Sequence, residues 1–206
     1  MWRTIFITLL GLASAPAWSA GNQCSLDAKA IFTFTWIPQT AAEPKVGSIR
    51  ITDRARRTVQ VLDNLEHYYG DTEAVGDHMD TRDFNNDGCG DLVFANSVAG
   101  IGNISSTAFL YDPARRRFVK HKLLSEVMGL DIDPRDKRCV AGFGKGGASD
   151  FHTQRYCWSK GRLVLKEEYS VSPRVNLEGE PTCYLHTTIT YRHGKKKTRT
   201  RCTKDL

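Results

Sequence analysis

Six cysteines (Cys24, Cys89, Cys139, Cys157, Cys183 and Cys202) constrain this chain more than any other feature, because all of them follow an amino-terminal stretch suited to export. Arg3 leads into Ile5-Phe6-Ile7-Thr8-Leu9-Leu10-Gly11-Leu12-Ala13, a run too short to cross a hydrocarbon layer about 30 Å thick, and small residues follow it. The expectation is a signal peptide over residues 1–19, cleaved after Ala17 or Ser19, and a periplasmic or secreted product. Cys24 follows Gln23 rather than the small residue that a lipid-anchored form requires, and no later stretch is apolar enough to span a membrane.

An even set of cysteines outside the reducing cytosol points to disulfides. Residues facing each other across an antiparallel pair share a midpoint at the turn. Cys139 and Cys157 centre on residue 148, inside Gly146-Gly147-Ala148-Ser149-Asp150, and Cys183 and Cys202 centre near Arg192-His193-Gly194. Cys24 is then left for Cys89, although spacing alone leaves other pairings open. Zinc is disfavoured, since no C-x-x-C pair is present.

Between the cysteines, β-type runs dominate: Ile31-Phe32-Thr33-Phe34-Thr35-Trp36-Ile37, Gly47-Ser48-Ile49-Arg50-Ile51-Thr52, Val59-Gln60-Val61-Leu62, Leu92-Val93-Phe94-Ala95, Leu163-Val164-Leu165 and Thr187-Thr188-Ile189-Thr190-Tyr191. A strand, a basic polar turn and a second strand recur around Asp53-Arg54-Ala55-Arg56-Arg57, Asp112-Pro113-Ala114-Arg115-Arg116-Arg117, Ser159-Lys160-Gly161-Arg162 and Arg192-His193-Gly194-Lys195-Lys196. The expected fold is all-β, with antiparallel hairpins in a propeller-like or sandwich arrangement. One short helix of at most about two turns is expected at Lys122-Leu123-Leu124-Ser125-Glu126-Val127-Met128. No linker divides residues 20–206, which read as a single all-β domain.

Composition sets the outer limits. With 40% hydrophobic and 25% charged residues, disorder, collagen and a multi-span membrane protein are excluded. Lys+Arg exceed Asp+Glu by 29 to 23, yet no nucleic-acid-binding signature accompanies the excess, and no nucleic-acid partner is expected.

The stretch with the most chemical content is Asp83-Phe84-Asn85-Asn86-Asp87-Gly88-Cys89-Gly90-Asp91, a D-x-N-x-D-G-x-x-D loop. Oxygen side chains at alternate positions converge when a chain winds tightly, and Gly88 permits the positive φ that turns it back. Asp83, Asn85, Asp87, the Cys89 carbonyl and Asp91 form a set of hard oxygen donors that suits Ca2+. Position twelve, where a helix-loop-helix calcium hand requires Glu, is Phe94, so the loop feeds a strand and the ion is structural. The competing reading is an Asx-rich turn that binds nothing.

Beyond that strand lies Ser97-Val98-Ala99-Gly100-Ile101-Gly102-Asn103-Ile104-Ser105-Ser106, a small-residue loop with apolar side chains at Val98, Ile101 and Ile104. Fixed by the neighbouring ion, it would serve to contact a partner through Ser97, Gly100, Ile101, Gly102 and Asn103. The glycine cluster Gly142-Phe143-Gly144-Lys145-Gly146-Gly147 lacks phosphate-loop spacing and reads as a flexible hairpin turn. His152 beside Asp150 has no nucleophile elbow near it, and no catalytic residues are assigned; the chain is not expected to be an enzyme.

From residue 83 to 119, the acidic loop, the strand Leu92-Val93-Phe94, the small-residue loop and Phe109-Leu110-Tyr111-Asp112-Pro113 resemble exported bacterial proteins that include lysozyme-inhibiting immunity proteins. The likeness continues through Leu130-Asp131-Ile132-Asp133 and Tyr156-Cys157-Trp158 and covers roughly residues 80 to 170. It implies a protein partner, a lysozyme-like glycosidase whose cleft is entered by the loop that Ser97 to Asn103 match. No Tyr lies between Ser97 and Ser106 to make that reach. The expected function is therefore an exported calcium-binding protein that binds, and in the fuller form inhibits, a lysozyme-like glycosidase. The alternative is a structural envelope-associated β protein with no enzymatic target.

Overall fold

The computed structural model describes residues 24–68 and 75–205; the expected signal peptide lies outside them. Thirteen strands occur among the described residues: β1 Thr33–Pro38, β2 Val46–Thr52, β3 Thr58–Glu66, β4 Met79–Asp80, β5 Leu92–Val98, β6 Ile104–Asp112, β7 Arg117–Lys120, β8 Asp131–Ile132, β9 Cys139–Lys145, β10 Phe151–Ser159, β11 Arg162–Val175, β12 Pro181–Arg192 and β13 Lys195–Thr203. The helix α1 spans Lys122–Ser125 and is capped by His121, whose Nδ1 accepts from Leu124 N–H at 3.1 Å.

The strands form three open antiparallel sheets, each a meander of strands adjacent in sequence: β1–β3, β4–β7 and β8–β13. Side-chain alternation fixes their stacking. On the middle sheet Leu92, Phe94, Phe109, Tyr111 and Phe118 pack with Phe32, Ile49, Ile51 and Leu62 of the first sheet and its approach. The alternate residues Val93, Ala108 and Leu110 pack with Val140, Tyr156, Trp158 and Leu163 of the third. Burial on both faces is why Leu92-Val93-Phe94 reads as an unbroken apolar run, whereas an exposed face would impose alternation.

All four basic turns close hairpins. Lys160-Gly161 and His193-Gly194 each hold two successive positive φ angles, between the pairs Ser159–Arg162 and Arg192–Lys195. Two-residue turns of this hand match the right-handed twist of their strands. The edges of the first two sheets meet through Gln60, whose amide donates to Phe118 C=O at 2.9 Å and accepts from Phe118 N–H at 2.7 Å.

Disulfides join Cys24 to Cys89, Cys139 to Cys157, and Cys183 to Cys202. Cys139 and Cys157 are direct cross-strand partners of β9 and β10. In β12–β13 Leu185 lies opposite Cys202, so Cys183 reaches its partner diagonally. Three disulfides fit an exported protein.

Part of the glycine cluster differs from its expected form. Gly142 and Gly144 are strand positions of β9, and only residues 146–150 turn. A Cβ on Gly142 would come within 2.6 Å of Val127 Cγ1, and one on Gly144 within 2.9 Å of Met128 Sδ. These glycines admit the segment after α1 against the sheet. The cluster is therefore packed strand before it is turn.

Candidate metal centre and partner loop

Loop 83–91 is pinned at the end of the middle sheet by apolar residues on both sides, Phe84 in the second core and Cys89 in the first. Trp158 Nε1 donates to Phe84 C=O at 2.9 Å, tying the loop to β10. Asn86 and Gly88 take φ of 56° and 90°, so the chain reverses twice within three residues. Gly90 is obligatory for another reason: a Cβ there would strike Ala28 N and Thr81 O.

Within the bend the acidic oxygens organise the main chain. Asp83 accepts from Asp87 N–H at 3.2 Å and Gly88 N–H at 2.9 Å, Asn85 Oδ1 from Asp87 N–H at 3.0 Å, and Asp87 Oδ1 from Cys89 N–H at 2.8 Å. The Asn85 amide donates to Asp87 Oδ2 at 2.9 Å. Asp91 lies at the base, 0% exposed, with one oxygen accepting from Phe84 N–H at 2.7 Å and the other from Tyr111 N–H at 3.0 Å. Burial pushes its carboxyl up to about 8; the two N–H bonds oppose that shift, and the carboxylates of Asp87 and Asp83 add to it.

Asp83, Asn85, Asp87 and Asp91 are thus gathered around one bend. Among the described residues no group of three or more His, Cys, Asp or Glu side chains is placed so that it could hold a metal ion. The donor chemistry nevertheless fits a hard cation: all the candidates are oxygens, and a buried carboxylate with two acidic neighbours is the environment that a divalent charge relieves.

The partner segment departs from its expected form. Ser97 and Val98 belong to β5 and Ile104 opens β6, leaving a tip at residues 99–103. That tip is closed by Ala99 N–H to Asn103 C=O at 2.8 Å and Gly102 N–H to Ala99 C=O at 2.7 Å. Gly100, Ile101 and Gly102 are exposed, as are Val98 and Ile104. Tip and acidic bend occupy opposite ends of β5, six residue steps or about 20 Å apart. An ion in the bend therefore cannot brace the tip directly, contrary to expectation. The brace is Asn103, whose amide donates to Lys145 C=O at 2.9 Å and accepts from Lys145 N–H at 2.7 Å. Nothing local in the sequence marks that pairing, because the partner lies 42 residues away.

Val98 and Ile104 also line a groove of about 640 Å³ that carries Asp27, Asp77, Asp80 and Asp131 against Lys29 and Arg82. Arg82 bridges Asp80 and Asp131 at 2.5 and 2.6 Å, joining the middle sheet to the third. A second acidic centre, missed in sequence, is Asp133: 1% exposed, it is bonded by Arg135 at 3.0 Å and by Arg155. Burial would raise its carboxyl, but the two guanidinium groups hold it down at about 2.

No family model matches the chain, and no curated protein matches it. Among solved structures, a Xanthomonas type IV secretion system related protein is similar, with a TM-score of 0.54, 14% identity, and coverage of 81% of this chain and 86% of that one. At that identity the likeness concerns the fold.

Proposed function

We propose that this chain is an exported, calcium-binding protein that inserts the tip 99–103 into the cleft of a lysozyme-like glycosidase and blocks it without catalysing a reaction. The observation that carries the reading is the tip itself, a tight turn presenting Ile101 between exposed Val98 and Ile104 and held by Asn103. Apolar residues on a rigid projection lose little conformational entropy when they enter a cleft. The adjoining acidic groove supports a cationic target, as its four aspartates outnumber its two bases and favour encounter with a basic enzyme. The structural neighbour, a secretion-system-related protein, is compatible with work outside the cytoplasm.

Ca2+ would be held by Asp83, Asn85, Asp87, the Cys89 carbonyl and Asp91. It supplies charge neutralisation at a buried carboxylate. Its mechanical effect falls on what the bend touches: the Cys24–Cys89 link, the Ala28 turn and the β6 main chain at Tyr111. Calcium therefore holds the frame from which β5 and β6 extend, while Asn103 holds the tip.

The test is inhibition. Mature protein mixed in calcium with a panel of muramidases is expected to stop at least one of them stoichiometrically, and Ile101→Asp to weaken that inhibition roughly 30-fold, the loss typical of a central contact. Full muramidase activity throughout the panel at molar excess would overturn the reading.

A further inference from the structure

The chain's net positive charge comes from one element. Residues 181–204 contain Arg192, Lys195, Lys196, Lys197, Arg199, Arg201 and Lys204 and no Asp or Glu, so the other residues hold 22 bases against 23 acids. Structurally this is the β12–β13 hairpin, the outer edge of the third sheet, and neither apolar core draws a residue from it. The Cys183–Cys202 disulfide staples it instead.

Register sorts the charges by face. Arg192, Thr190, Thr188 and His186 lie opposite Lys195, Lys197, Arg199 and Arg201, so four successive same-face positions of β13 are basic. The alternate face carries Lys196, Thr198, Thr200 and Cys202. Protecting an edge strand from aggregation requires a charge or two; it does not require a one-sided row about 20 Å long, with steps of about 6.7 Å. Across from that row, Glu167 on β11 is engaged by Arg135 at 3.6 Å. Thr188, Thr190, Arg192, Lys195, Lys197 and Arg199 enclose a groove of about 720 Å³ on this face.

We propose that this face is a docking surface for the phosphate layer of an anionic lipid membrane. The row matches an array of phosphates better than a single one. The groove is lined by no Phe, Tyr or Trp, His193 being the one ring on which a base could stack, and the disulfide belongs to a compartment where a leaflet, rather than nucleic acid, is the available polyanion. The turn Arg192-His193-Gly194-Lys195 offers no apolar anchor, so adsorption is electrostatic and reversed by salt. The surface is independent of the acidic bend and of the tip.

The experiment is co-sedimentation of the mature chain with phosphatidylglycerol-containing vesicles and with neutral phosphatidylcholine vesicles, in chelator so that calcium cannot bridge lipid and protein. Binding is expected to the anionic vesicles alone and to disappear in high salt. K195Q/K197Q/R199Q/R201Q should weaken it roughly 100-fold or more, while the equally discharged control R50Q/R56Q/R117Q/K120Q, altered at exposed positions outside the hairpin, retains it. Failure of the native chain to bind anionic vesicles at low salt, or equal loss in both variants, would overturn the proposal. So would displacement from the vesicles by a duplex oligonucleotide at matched phosphate concentration, which would assign the face to nucleic acid.

Discussion

Asp91 and Asp133 are both closed to solvent, 0% and 1% exposed, but Asp91 lies much deeper in the protein, and their carboxyls move in opposite directions, to about 8 and about 2. Burial penalises both charges. Asp133 receives two guanidinium groups from its own chain, Arg135 from the same loop and Arg155 from β10. Asp91 receives two main-chain N–H groups and faces Asp83 and Asp87. One loop carries its cations covalently. On the proposed reading the other takes its cation from solution.

The largest test of the contrast removes an internal cation's partner. Asp133→Ala leaves Arg155, with its side chain 24% exposed, without its buried counter-charge, and breaking such a pair costs about 3–5 kcal/mol. Denaturant unfolding should show that loss with and without calcium. The matching intervention on the other loop is chelation. Calcium at about a hundredfold its dissociation constant stabilises a protein by about 2.7 kcal/mol, so the chelated chain should melt lower, and Asp87→Ala should abolish the difference. Identical melting with and without chelator in the native chain would remove the ion from the account.

Acidity separates the two aspartates by sign. Asp133, depressed from 3.8 to about 2, contributes stability that is complete above pH 4 and is lost as pH falls through 2. Asp91 without metal, raised from 3.8 to about 8, contributes stability that is complete below pH 4 and lost as pH rises toward 8. Melting of the chelated chain should therefore decline from pH 4 to 8, and calcium should flatten that decline. A decline of equal steepness in both conditions would mean that the bend binds no ion.

The sequence disclosed the hairpins because their turns carry local signals, such as Lys160-Gly161 and His193-Gly194, and β5 because burial on both faces leaves an unbroken apolar run. It disclosed the acidic bend because its donors lie within nine residues. It under-read β11, which runs over Arg162–Val175 although only Leu163-Val164-Leu165 looks like strand. Beyond the second core that strand pairs through polar residues such as Glu167, Glu168 and Ser170, where no apolar alternation is required. The Asn103–Lys145 brace and the Asp133–Arg155 pair were illegible for a different reason: each joins residues of unremarkable type across 42 and 22 positions, and only the packing of β9 and β10 brings them together. Bend and tip stand farther apart than their sequence spacing suggests, because five residues can be a loop or most of a strand, and burial chose the strand.

The smallest test asks whether both guanidinium groups are needed at Asp133. Arg135 is 61% exposed while Arg155 is 24% exposed, so the same hydrogen-bonding chemistry acts through different amounts of water. An exposed ion pair contributes about 1 kcal/mol or less, since solvent screens it and ordering the side chain costs entropy. Arg135→Ala leaves Arg155 bonded to Asp133 and leaves the main-chain N–H of residue 135, which donates to Asp133 Oδ1 at 2.9 Å, in place. A loss near 1 kcal/mol in denaturant unfolding, several-fold smaller than that of Asp133→Ala, would show that one well-buried cation satisfies a buried carboxylate. If Arg135→Ala cost as much as removing the aspartate, charge pairing would have to be complete at such a site, and the bend around Asp91, with three carboxylates, would demand more neutralisation than a single divalent ion supplies.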